Sequence, residues 1–139
     1  MNDEELKKQL LRHEGLVTHA YQDHLGFWTI GVGRLIDERR GGGISEEEAM
    51  VLLHNDIEKV KRQLQCIDGF FFLPPDVKQA LCNMAFQLGI SGLLRFSNMW
   101  AALRRHDFKD AAKEALDSKW AMQTPKRAHE IAEMIRRGA

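Results

Sequence analysis

Leu6, Leu10 and Leu11 recur at helical spacing near the start of the chain, behind a first turn that carries Asp3, Glu4 and Glu5. The pattern predicts a helix whose acidic turn complements the positive end of its own dipole and which ends near Gly15. From Thr18 to Ile36 the period changes. Tyr21, Phe27, Trp28, Thr29, Ile30 and Val32 favour extended chain and Gly26, Gly31 and Gly33 punctuate it, so two or three short antiparallel strands are expected. Gly41, Gly42 and Gly43 form a turn before Ser45, which with Glu48 three residues on reads as a capping box. The stripe Leu52, Leu53, Ile57, Val60 and Leu64 then predicts a helix over about residues 46–65, ~30 Å long at 1.5 Å per residue.

Pro74 and Pro75 introduce a second long helix, apolar on nearly every turn through Val77, Leu81, Met84, Ala85 and Leu88, and Gly89 is expected to end it. Shorter helices follow, with expected N-caps at Ser97, Asp107 and Thr124. One early sheet among helices predicts the α+β class. The expected arrangement is a small antiparallel sheet lobe and a larger all-helical lobe joined by a long helix, with a cleft where they meet. This is a single domain of residues 1–139, with the sheet lobe at about 14–58 and the helical lobe at about 1–13 plus 65–139.

A chain of 139 residues, 44% of them apolar, is long enough for one substantial core. No apolar run approaches the ~20 residues of a membrane span, and Met1 to Lys8 lacks the apolar segment of a signal peptide, so neither stable membrane insertion nor self-directed export is expected. Cys66 and Cys82 cannot form a disulfide framework and are expected to be reduced core thiols. The zero net charge divides unevenly: residues 1–60 carry 7 basic and 12 acidic side chains, residues 61–139 carry 13 and 8. A basic second half suits an anionic partner such as a cell-wall polymer. With no tract of five like charges and no concentrated basic recognition helix, it argues against nucleic acid.

Chemistry concentrates between Arg12 and Leu35, where Glu14 closes a helix and Asp23, Thr29 and Arg34 fall in the strand segment. Glycosidic cleavage needs such a set: one carboxylic acid to protonate the leaving oxygen and another carboxylate to hold water or attack, flanking the sugar. A helix end followed by a returning strand places side chains nine residues apart across a groove, which one continuous helix would not do. Glu14 also stands at the negative end of its helix dipole, a setting that suits a proton donor.

The wording of several segments adds a resemblance. Arg12-His13-Glu14-Gly15, Ala20-Tyr21-Gln22-Asp23 and Gly26-Phe27-Trp28-Thr29-Ile30-Gly31-Val32-Gly33 resemble the T-even type bacteriophage lysozymes of glycoside hydrolase family twenty-four. Ser45 to Asp56 looks like that family's connecting helix. Asn83 to Gly89 resembles its core-helix motif, and Trp120 to Ala128 its late Gln-Thr-Pro-x-Arg-Ala motif. The resemblance implies an endolysin that hydrolyses the β-1,4 bond between N-acetylmuramic acid and N-acetylglucosamine in peptidoglycan, with inversion, using Glu14 as general acid, Asp23 to assist water and Thr29 to position it. It further implies sugar contacts at Leu35, Phe86 and Gln87, places Arg127 near the catalytic glutamate, and leaves Arg34 and Asp56 as a structural pair. Met99 and Glu114 depart from the polar residues of the family's cleft.

No cofactor is expected, nor a metal: His13, His19 and His24 cluster in sequence, but no HExxH or paired CxxC accompanies them. Trp28, Trp100 and Trp120 are either core or sugar-stacking residues. The family also implies a monomer made in the host bacterial cytoplasm that needs a separate holin-type pore to reach the wall. The alternatives are a lytic transglycosylase cutting the same bond, or a non-catalytic peptidoglycan-binding module.

Overall fold

The structure, a computed structural model, describes residues 1–22, 28–31, 34–35 and 44–138. The chain forms two compact units, one of Lys7–Lys59 and one of Met1–Leu6 with Val60–Ala139. Helix α1 (Asp3–Glu14) begins where the Asn2 side chain accepts the Glu5 amide at 3.2 Å. Its Leu6 and Leu10 are fully buried, while Leu11 stands at the edge of the stripe. Gly15 follows at φ 76°, donating its amide to the Leu11 carbonyl at 3.0 Å. That left-handed turn stops the helix and redirects the chain.

Three strands follow, β1 (Val17–Gln22), β2 (Trp28–Gly31) and β3 (Arg34–Leu35), in the antiparallel order β1-β2-β3. Tyr21 pairs with Thr29 and Gln22 with Trp28, but Val17 pairs with Gly31, so the register shifts between Val17 and Tyr21. Helix α2 (Glu46–Gln65) opens on the expected reciprocal cap: Ser45 Oγ accepts the Glu48 amide at 3.1 Å and Glu48 Oε1 accepts the Ser45 amide at 3.3 Å. Leu53, Ile57 and Leu64 are its buried stripe, with Leu52 and Val60 half-buried beside it.

The α+β expectation, a sheet lobe set apart from an all-helical lobe by a cleft, is corrected. Helix dominates the described residues, and even within Lys7–Lys59 the parts of α1 and α2 contribute more residues than strands of six, four and two. The reason is local. Strand-favouring side chains are confined to one short glycine-punctuated stretch, which supports only a small ribbon, while helical periodicity governs both flanks.

In the other unit a short 3-10 turn (Phe70–Phe72) leads through Leu73 and Pro74 into α3 (Pro75–Leu94). Val77, Leu81, Met84 and Ala85 are buried along it, and Gly89 interrupts it at φ 74° and ψ 163°, backbone that only glycine adopts readily. Then come α4 (Ser97–Arg104), α5 (Phe108–Leu116), α6 (Lys119–Gln123) and α7 (Pro125–Arg137). Leu93, Met99, Leu103, Ile131 and Ile135 complete this core. Asp107 caps α5 as expected, accepting the Asp110 amide at 3.1 Å.

The other expected caps need correction. The residue before α4 is Phe96, with Ser97 already helical and its hydroxyl on the Arg95 carbonyl at 3.5 Å. Thr124 is the N-cap residue of α7 as expected, but its side chain makes no cap bond there: its hydroxyl donates back to the Trp120 carbonyl at 2.9 Å and closes α6. The expected burial of Cys66 is also corrected. Cys82 lies in the core, whereas Cys66 is exposed just past the last residue of α2, beyond the reach of its apolar stripe.

Candidate functional site

Glu14 is the last residue of α1 and half-buried, so the left-handed Gly15 sets its carboxyl at a helix C-terminus beside the start of β1. Thr29 lies on the central strand, paired to Tyr21 on one side and Leu35 on the other, and is 3% exposed. Arg34 forms β3 with Leu35 and pairs with Ile30 through the backbone. Asp56 is half-buried on α2. Asp23, the residue after Gln22, lies outside the described residues. The Lys7–Lys59 unit therefore supplies a carboxyl at a helix end and a buried hydroxyl on a central strand, a set that can donate a proton and hold a water.

Phe86 and Gln87 occupy the last turn of α3 before the Gly89 break, both half-buried. Gln87 Oε1 accepts the indole N–H of Trp120 at 2.8 Å. One turn earlier on α3, the fully buried Asn83 receives Arg127: its Nε–H donates to Asn83 Oδ1 at 3.0 Å and a terminal N–H to the Asn83 carbonyl at 3.3 Å. Arg127, only 6% exposed on α7, therefore clamps α3 with a forked cation that matches both acceptors. Sequence reasoning passed over Asn83. Its signal was a polar residue among apolar neighbours in a core helix, which survives burial only with a partner.

The tryptophans settle as core where they are described. Trp100 is 3% exposed with its indole N–H on the Leu93 carbonyl at 3.0 Å. Trp120 is 5% exposed and meets the edge of Phe96 at 5.9 Å between ring centres. Met99 is buried in α4, and Glu114 is half-buried on α5. A cavity of about 620 Å³ between α5 and α7 is lined by Lys113, Leu116, His129 and Ala132 among others, and none of the candidate residues borders it. Among the described residues no group of three or more His, Cys, Asp or Glu side chains is arranged to hold a metal ion, and no helix is long and apolar enough to cross a membrane.

Comparison with known proteins adds an independent finding. The family model described as Phage lysozyme matches residues 11–139. The chain is similar to the pre-baseplate central spike protein Gp5 of Enterobacteria phage T4, 30% identical over 96% of this chain but only 28% of the spike protein's length. It is also similar to the probable T4-type lysozyme 1 of Dictyostelium discoideum, 24% identical over 96% of this chain and 94% of that one. An endolysin of Acyrthosiphon pisum secondary endosymbiont phage 1 is 30% identical over 79% of this chain and 73% of its own.

Proposed function

The chain belongs to the phage lysozyme family, and from that premise we propose that Glu14 protonates the glycosidic oxygen of bacterial peptidoglycan while Asp23 and Thr29 deliver water to the anomeric carbon. The protein is a muramidase-type endolysin, a glycoside hydrolase whose substrate is the wall polymer. Its bond is the β-1,4 link between N-acetylmuramic acid and N-acetylglucosamine.

The roles follow from what each position offers. Glu14, the last residue of α1, is the general acid that protonates the departing sugar oxygen. The Asp23 carboxylate takes a proton from water as that water attacks the opposite face of the sugar, so the product inverts at the anomeric carbon. The Thr29 hydroxyl, held on a central strand, orients the same water with little freedom to lose. Leu35, Phe86 and Gln87 are the sugar contacts, and Arg127, Arg34 and Asp56 are structural. The enzyme acts as a monomer, accumulates in the host cytoplasm and reaches the wall through a holin-type pore.

The observation that carries this reading is the family match across residues 11–139, which spans every residue given a role. Purified peptidoglycan incubated with the protein and with Glu14→Gln, its soluble fragments read by mass spectrometry, is the test. Fragments ending in reducing N-acetylmuramic acid, made about 10²–10⁴-fold more slowly by the variant, are expected. Anhydro ends would make the enzyme a transglycosylase, and wall binding without fragments would make it a binding module.

A further inference from the structure

The cavity between α5 and α7 is bordered by none of the residues given a role above, and its size, about 620 Å³, is that of a small-molecule site. Part of its lining is small. Ala112 on α5 and Ala132 on α7 are buried yet reach no further than Cβ, and with the half-buried Leu116 they give the groove an apolar surface. The acidic groups around it are already committed. Asp107 caps α5 and stands 4.0 Å from Arg105, Asp110 meets Arg105 at 2.8 Å, and Glu133 pairs with Arg136. Arg105 makes these contacts from outside the lining, so it neutralises acid within the groove without bordering it. That leaves Lys109, Lys113 and His129, and among the described residues none of these has a hydrogen bond, an ion pair or a ring contact.

Both lysines sit awkwardly in their own helix. Lys109 is the second residue of α5, in the first turn, where the positive end of the dipole disfavours a cation. Lys113 suits the negative end of that helix, but it follows Lys109 by four residues on the same face, so the two ammonium groups repel. Local rules broken without a compensating contact mark a functional position, and an anion between the two lysines would supply the compensation.

We propose that this groove is a second binding site, for a phosphate ester. The phosphoryl oxygens take the separate point donors Lys109, Lys113 and His129, and the carbon body lies on Ala112, Leu116 and Ala132. A phosphate suits these donors better than a carboxylate, because the planar fork that grips a carboxylate belongs to arginine, and Arg136 in the lining is held by Glu133. A bare phosphate ion would leave most of the groove unfilled. The proposal goes beyond the muramidase reading and does not rest on it, since no residue of that site takes part. Glycerol phosphate presents the required chemistry from two sources, the free ester in solution and the headgroup of a phospholipid surface.

The test is a calorimetric titration of the whole chain with sn-glycerol 3-phosphate, inorganic phosphate and acetate at one ionic strength. Glycerol phosphate should bind saturably, inorganic phosphate more weakly and acetate more weakly still. Lys109→Gln combined with Lys113→Gln removes two exposed and mutually repelling charges, so the variant folds. It should weaken glycerol phosphate about tenfold or more, the loss of charge-assisted hydrogen bonds, and leave fragment release from purified peptidoglycan unchanged. Arg105→Gln touches no ligand, yet by freeing Asp107 and Asp110 it should weaken binding severalfold. Ala132→Leu fills the groove, keeps every charge and should abolish binding; if it fails to fold, the lysine and arginine variants still decide. Flotation with vesicles of phosphatidylglycerol in phosphatidylcholine names the source: retention of wild type but not of the lysine variant assigns the headgroup, and no retention assigns the free ester. No saturable heat with glycerol phosphate, equal affinity in wild type and the lysine variant, or acetate binding as tightly would overturn the proposal.

Discussion

The polar groups proposed to react in the Lys7–Lys59 unit and those that brace the helical unit have different tasks. In the first, Glu14 stands half-buried at the end of α1 and Thr29 on a strand of four residues, beside a ribbon with a register shift. In the second, buried polar groups are locked in pairs, with Arg127 on Asn83, Trp120 on Gln87, and Trp100 on the Leu93 carbonyl, each between 2.8 and 3.3 Å. A group proposed to react must change protonation or position a water, so its removal costs rate. A brace has no such task and is most stable when fully paired. Substituting the groups proposed to react should therefore cost rate, and substituting the Asn83–Arg127 brace should cost stability.

Arg127→Met gives the largest stability effect expected from this division. The variant keeps most of the buried volume but removes both hydrogen bonds that Arg127 donates to Asn83, where both residues are buried. Stability should fall by about 2–3 kcal/mol, read as a lower urea midpoint at unchanged slope. If stability held within about 0.5 kcal/mol while lysis collapsed, Arg127 would belong with the chemistry and the division would break.

Thr29→Val tests the other side. It preserves the branched shape of the strand residue and removes the hydroxyl, so the turnover of wall fragments should drop about tenfold or more through a misplaced water. Its melting temperature should move little by comparison. A full rate with a lowered melting temperature would make Thr29 a strand residue only, and the water would need another holder.

How much of this was legible beforehand depended on the range of the signal. Helix α2 was read to its ends because both determinants are local, an apolar stripe and a Ser45–Glu48 pair three residues apart. Gly15 and Gly89 announced backbone breaks that only glycine takes easily, and both sit at positive φ. Local reading failed where two local readings competed: Ser97 and Thr124 look like caps, but each hydroxyl turned to a carbonyl behind it, while Ser118, unnoticed, caps α6 through the Ala121 amide at 3.1 Å. The pairs that lock the helical unit were out of reach altogether, since Gln87 and Trp120 are 33 residues apart and Asn83 and Arg127 are 44 apart. The proposed catalytic set rests on the family wording. A lone Glu and Asp nine residues apart carry little, and Asp23 lies outside the described residues.

The smallest effect sharpens the comparison by testing a polar pair of the Lys7–Lys59 unit that has no catalytic task. Ser45 and Glu48 exchange two hydrogen bonds at the exposed start of α2, so this pair is a brace built into the unit that also holds the groups proposed to react. If it is role rather than location that decides whether rate or stability suffers, Ser45→Ala should behave like a brace. It should lose about 1 kcal/mol of stability, measured in the same urea titration, and leave the rate of fragment release alone. A fall in rate at unchanged stability would mean that the start of α2 is coupled to the chemistry, and location would then matter more than role.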